Sequence, residues 1–244
     1  MAFKDWGFFP VAARLFAAAG YGVVTFNFSL GGVAPGGHRI TEFDKFEKNT
    51  FSRELDDVRT VITGVAEGVI PIPSTEKREI ILLGHSRGGG IAIVETSRDE
   101  KVGGLITWSS IATFDRWTNH QKEKWRRTGY LPLARDEMVS PLRVGISLLS
   151  DLELHHDELD IPRAASLVRV PWLILHGKVD VTVPSAEAER LFAASGAEKS
   201  QLVLLDHVGH LYNAASPEGD QYATLHSIVA ITVNWLRRHS IQEN

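Results

Sequence analysis

Cysteine is absent from the 244 residues. That absence removes disulfides, thiolate metal sites and a cysteine nucleophile together, and it fits a reducing compartment, so a cytoplasmic location is expected. No apolar run approaches the roughly eighteen residues that a membrane span requires. The opening residues, Met1 to Trp6, show no basic segment leading into an apolar stretch, so no signal peptide and no membrane association are expected. Charge of neither sign dominates: 26 basic residues against 30 acidic give a net charge of −4, which points to neither nucleic acid nor an anionic surface as partner. The paired glycines Gly36-Gly37 and Gly103-Gly104 are not followed by the Lys-Ser/Thr of a phosphate loop, so nothing supports nucleotide binding. The polar run His155-His156-Asp157-Glu158 resembles a metal site only in composition. Adjacent residues on a helix face different directions, so no metal is expected there. There is no internal repeat and no low-complexity tract. No cofactor is called for.

What remains is the composition of an ordinary globular protein, 43% hydrophobic and 23% charged, with a length that suits a single domain over residues 1–244. Short apolar runs mark strands at residues 21–28 (YGVVTFNF), 79–83, 104–108, 171–175 and 201–205. The runs are continuous rather than alternating, as in parallel strands covered on both faces. Helical patterns lie between them. Phe51, Leu55, Val58, Ile62 and Val65 share one helix face. Residues 9–19 form an Ala-rich helix stopped at Gly20, 187–194 form another, and Tyr222 to Leu236 carry the inner stripe of a C-terminal helix. Strands alternating with helices predict an α/β fold with a doubly wound, mostly parallel sheet. Residues 109–169 break this rhythm. They hold no good strand, several helical patterns and the aromatics Trp117, Trp125 and Tyr130, and read as a helical insertion.

The sharpest chemical signal is Gly84-His85-Ser86-Arg87-Gly88, which follows an apolar strand and precedes the helical run 91–96. A G-x-S-x-G turn in that context is a nucleophile elbow. It lifts the serine hydroxyl clear of the sheet and aims the first free N–H groups of the helix at the site. Ser86 is the expected nucleophile, and the Arg87 backbone N–H an oxyanion donor. A serine hydroxyl needs a base, and the base a carboxylate to orient it. Asp180 follows the strand at 171–175, and His210 lies in the loop after the strand at 201–205. Both sit beyond strand C-termini, where open α/β sheets build their sites. The 30 residues between them match one helix–strand unit. Asp206, His207, His176 and His85 compete for these roles. Asp206 and His207 lie closer to the strand end, and Asp206 reads as structural; His176, before a glycine turn, reads as packed near the sheet, and His85, beside the nucleophile, as pointing to a helix or a lid.

These segments, Gly84-His85-Ser86-Arg87-Gly88-Gly89, His176-Gly177-Lys178-Val179-Asp180 and His207-Val208-Gly209-His210, together with Phe3-Lys4-Asp5-Trp6-Gly7-Phe8-Phe9-Pro10, resemble the α/β-hydrolase superfamily in its dienelactone-hydrolase-like and prolyl-oligopeptidase-like branch. True dienelactone hydrolases use a cysteine nucleophile, so that activity is not expected. The resemblance spans nearly the whole chain. It implies the α/β-hydrolase fold, a serine hydrolase acting on carboxylic esters or related small acyl compounds, and a helical cap over residues 109–169 whose Trp117, Trp125 and Tyr130, with His85, border a substrate pocket. The same resemblance sets two alternatives beside it: a peptidase or thioesterase of the same fold, and a binding protein that keeps the triad without turnover.

In such proteins the sheet also runs further upstream, where a central strand ends in His-Gly and the next residue supplies a second oxyanion N–H. The resemblance therefore implies an N-terminally truncated fold. The strand expected between 21–28 and 79–83 has no counterpart in the sequence, and a segment upstream of Met1, or another chain, is expected to supply it. Extending the reading frame is expected to reveal an apolar strand followed by His-Gly.

Overall fold

The computed structural model describes residues 3–72, 79–133, 142–214 and 222–239. In chain order the elements are α1 (Phe9–Ala18), α2 (Phe43–Glu47), α3 (Phe51–Ala66), β1 (Ile80–His85), α4 (Arg87–Thr96), β2 (Val102–Trp108), α5 (Asn119–Thr128), β3 (Tyr130–Pro132), β4 (Arg143–Gly145), α6 (Ile146–Leu154), α7 (Ile161–Leu167), β5 (Trp172–Gly177), α8 (Ala186–Ala194), β6 (Ser200–Leu205) and α9 (Ala223–His239). The central sheet is parallel, in the order β1-β2-β5-β6. This is the α/β-hydrolase fold, with helices on both faces of a parallel sheet.

Side-chain alternation along each strand feeds two separate cores. On β5, Trp172 and Ile174 point into the larger core, formed with α3, α4, α7 and α8. Leu173 and Leu175 point the other way, into a core with α1 and α9 built around Trp108, Tyr212 and Trp235. All six residues of β5 are buried, which explains why its sequence shows no alternation. Helix α3 starts where Thr50 caps it, its side chain accepting from the Arg53 N–H, and the five apolar residues of its predicted stripe are all buried.

Two expectations need correction. Residues 21–28 have the composition of a strand and run without helical structure, but they join no ladder among the described residues. Among the described residues β1 is bonded only to β2, which leaves its outer edge without a ladder partner, and Leu83 in its middle is 38% exposed. A strand is defined by its partner, and residues 21–28 have no ladder partner among the described residues. The second correction concerns 109–169, which is not wholly helical. The short antiparallel pair β3–β4 lies between α5 and α6, and residues 134–141 lie outside those described.

Candidate active site

β1 ends at His85, and α4 begins at Arg87, leaving Ser86 to make the whole turn at φ 55°, ψ −121°. A non-glycine residue held there stores about 1–3 kcal/mol of strain, and it persists because its surroundings fix it. The Ser86 N–H donates to the Trp108 carbonyl at 3.0 Å, and its own carbonyl accepts from Gly89 at 3.0 Å and Ile111 at 3.3 Å. The turn is too tight for side chains at two positions. A Cβ on Gly84 would lie 2.3 Å from the Gly88 carbonyl oxygen, and one on Gly89 2.4 Å from Ser110 Oγ. Arg87, the first residue of α4, has a backbone N–H with no acceptor among the described residues, at the positive end of the helix.

The three residues singled out in the sequence come together here. His210 Nε2 lies 3.1 Å from Ser86 Oγ, and His210 Nδ1 2.7 Å from Asp180 Oδ2. A carboxylate can only accept, so Nδ1 carries the hydrogen and Nε2 presents its lone pair to the serine hydroxyl. Asp180 is buried and fully engaged. Its Oδ1 accepts from the Thr182 N–H at 2.9 Å and the Val183 N–H at 2.8 Å. His176, at 0% exposure beneath it, donates from Nε2 to the Val183 carbonyl at 2.8 Å and lies 3.4 Å from Asp180 Oδ2. Burial works against ionisation of Asp180, but hydrogen bonds from His176, His210 and the Val183 amide outweigh it and hold the carboxyl well below the usual carboxylate range. The arrangement can therefore take a proton from Ser86 and stabilise the resulting imidazolium with a fixed negative charge.

His210 rides on a strained loop. His207, Tyr212 and Asn213 all have positive φ, between 55° and 58°. Asn213 ties the loop to itself, accepting from the Gly209 N–H and donating to the His207 carbonyl. The Tyr212 hydroxyl donates to Ser109 Oγ at 3.2 Å, deep in the smaller core.

Of the competing residues, Asp206 pairs with Lys178 on the rim, 2.8 Å away, and His176 supports Asp180 from below. The pocket residues divide. Trp125 is wholly buried in the main core and cannot line an open pocket. Trp117, partly buried, packs against it at 5.1 Å between ring centroids, and Tyr130 stacks under the Arg143 guanidinium at 4.6 Å. His85 turns toward the His210 loop. One partnership went unread in the sequence: Glu54, wholly buried, receives the Arg87 side chain and Asn49 Nδ2. Burial pushes the Glu54 carboxyl up, and Arg87 pulls it part of the way back. The signal was available, since Glu54 stands three residues after Phe51 and four before Val58, on the buried stripe of α3.

The sequence profile of the α/β hydrolase family matches residues 3–220. The chain belongs to that family. No curated protein matches this α/β hydrolase. Among solved structures it is similar to a monoacylglycerol lipase from Paleococcus ferrophilus, at 19% identity and a TM-score of 0.66, with 94% of this chain and 88% of that one covered. It is also similar to the esterase domain of a Rhodothermus marinus protein, at 19% identity and 0.58 over 94% and 80% of the two chains. A hydrolase from Agrobacterium vitis S4 matches at 20% identity and 0.68 over 98% and 84%. At such identities the likeness establishes that this α/β hydrolase shares their fold.

Proposed function

We propose that this α/β hydrolase is a serine hydrolase of carboxylic esters or related small acyl compounds. The observation that carries this reading is the continuous hydrogen-bond chain from Ser86 Oγ through His210 to Asp180, set on a strained turn between strand and helix. Ser86 Oγ attacks the acyl carbon while its proton passes to His210 Nε2. The carbonyl oxygen becomes an oxyanion facing the Arg87 N–H. His210 returns the proton to the leaving alcohol, and the acyl group stays on Ser86. Water then attacks the acyl-enzyme with His210 again as base, releasing the acid and restoring the Ser86 hydroxyl. No cofactor or metal takes part in this scheme. Among the described residues no group of three His, Asp or Glu side chains is placed to hold a metal ion, and no helix is long and apolar enough to cross a membrane. The cytoplasm, with its reducing chemistry, is the location that a cysteine-free chain suits.

Residues 109–169 are proposed as a cap. The segment begins and ends against the elbow helix: a Cβ on Gly90 of α4 would meet Ile111, Phe114 and Ile161 within 3.2 Å. Trp117 and Tyr130 are its partly exposed aromatics. Trp117→Ala or Tyr130→Ala is expected to change the preference for acyl chain length more than the unfolding midpoint. Unfolding of both variants, with specificity unchanged, would make the segment core rather than cap.

A second reading, in which the chain binds acyl compounds without turning them over, is favoured by the open sheet edge. The N–H groups of residues 22–28 have no acceptor among the described residues, and β1 is open on the side away from β2. We propose that one further strand completes the sheet between them and brings a second oxyanion donor. One such donor is worth about 10²–10³ in rate. A fluorophosphonate probe separates the readings. The hydrolase reading expects stoichiometric labelling of Ser86. No labelling would leave the binding reading standing.

A further inference from the structure

His85 is covalently next to Ser86, yet its side chain engages the base. Its Nε2 lies 3.0 Å from the carbonyl oxygen of His210. A carbonyl only accepts, so Nε2 carries the hydrogen and the ring donates through it. The ring is held edge-on by Phe8 at 5.3 Å, Phe9 at 5.7 Å and Tyr212 at 5.7 Å between centroids, and lies 4.7 Å from the His210 ring. We propose that His85 is a positioning residue that holds the His210 loop at the height Ser86 requires, through the hydrogen bond from its Nε2–H to the His210 carbonyl.

Two contacts then link adjacent residues of the elbow to one residue of the loop. Ser86 Oγ meets the His210 side chain, and His85 meets the His210 backbone. The loop needs such a link. Three of its residues sit at positive φ, and its further side-chain ties to the rest of the fold are His210 to Asp180, Asp206 to Lys178 and, two residues beyond His210, Tyr212 to Ser109. The chemistry also requires His85 to stay neutral. A proton on it would place a second cation beside the imidazolium that His210 becomes. Burial first, and the neighbouring His210 second, hold the His85 pKa down to about 3. An imidazole that neither titrates near neutrality nor offers Nε2 as an acceptor does not compete for the Ser86 proton. It acts through His210 instead.

The inference rests on the serine-hydrolase reading, and its test uses two substitutions and one spectrum. His85→Phe keeps an aromatic ring and removes the donor. His85→Gln places an amide N–H near the position of Nε2. With p-nitrophenyl acetate, His85→Phe is expected to lose about 10- to 100-fold in kcat, the scale of a small misplacement of a reacting group, with KM changed by less than about threefold. His85→Gln is expected to recover most of that loss. Equal losses in both variants, or none in His85→Phe, would overturn the proposal. Nitrogen-15 NMR of the histidines in the unsubstituted chain does not depend on either variant folding or on turnover. It is expected to show His85 as the Nε2–H tautomer, without titration between about pH 5 and 8. An Nδ1–H tautomer, or titration in that range, would also overturn it. Failure of the hydrolase reading itself would appear elsewhere, as full turnover in a chain lacking the Ser86 hydroxyl.

Discussion

Turnover of p-nitrophenyl acetate is expected to fall by roughly three to six orders of magnitude when Ser86 is replaced by alanine. The hydroxyl is the only group the geometry places both on the strained elbow and 3.1 Å from His210 Nε2. Removing it leaves the α4 N-terminus and whatever binding the site provides, and those alone sustain a small residual rate. The fold should be unaffected. Ser86 supports the turn through its backbone, with its N–H on Trp108 and its carbonyl receiving Gly89 and Ile111, and alanine keeps all three bonds. Circular dichroism and the urea midpoint therefore check that the loss is chemical. Unchanged turnover in a folded Ser86→Ala chain would remove Ser86 from the reaction.

Asp180→Asn is expected to cost about 10⁴-fold in kcat, with the structure kept. The two backbone amides on Oδ1, from Thr182 and Val183, need an acceptor, so the asparagine oxygen takes that place. Its NH₂ group then faces His210 Nδ1 and His176 Nε2. A donor opposite Nδ1 favours the wrong His210 tautomer, in which Nε2 carries the hydrogen and cannot receive the serine proton. The substitution should also alter acid stability, and the sign follows from the depressed carboxyl. A group whose pKa is lower folded than unfolded contributes stability above its unfolded value, near 4, and loses that contribution as pH falls further. The unsubstituted chain should thus lose stability below about pH 4 more steeply than Asp180→Asn. Parallel acid-unfolding curves for the two would show that the carboxylate is not held as the hydrogen bonds indicate.

Much of the site was legible because it hangs on the ends of buried strands. A continuous apolar run, then a turn, then a polar residue is a strong local pattern, and Ser86, Asp180 and His210 each follow one. The 30-residue spacing of the last two carried their adjacency. Non-local facts were harder. Residues 21–28 have strand composition, yet strand formation depends on a neighbouring edge, and no property of the segment itself reports whether one is there. A pocket bordered by Trp117, Trp125 and Tyr130 was what the family resemblance implied. Whether an aromatic faces a cavity or a core is set by the other side of the contact, which for Trp125 is Trp117 and the main core. The engagement of His85 with the His210 carbonyl joins residues 125 positions apart and leaves no periodic trace. Glu54 was the opposite case, a charge on an apolar stripe that pattern reading could have flagged.

The open edge of β1 has a consequence for handling the protein in solution. Among the described residues its outer side has no ladder partner; Ile80 and Leu82 pack on the larger core and Ile81 on the smaller, leaving Leu83 as its exposed aliphatic side chain. Edge strands in other proteins are guarded by such devices because an unguarded edge templates pairing between molecules. Among the described residues β1 itself carries neither lysine nor proline, and its last residue, His85, directly precedes the elbow serine. Concentration-driven self-pairing would cover the nucleophile's own strand, so colloidal state and specific activity should be read together whenever either is measured.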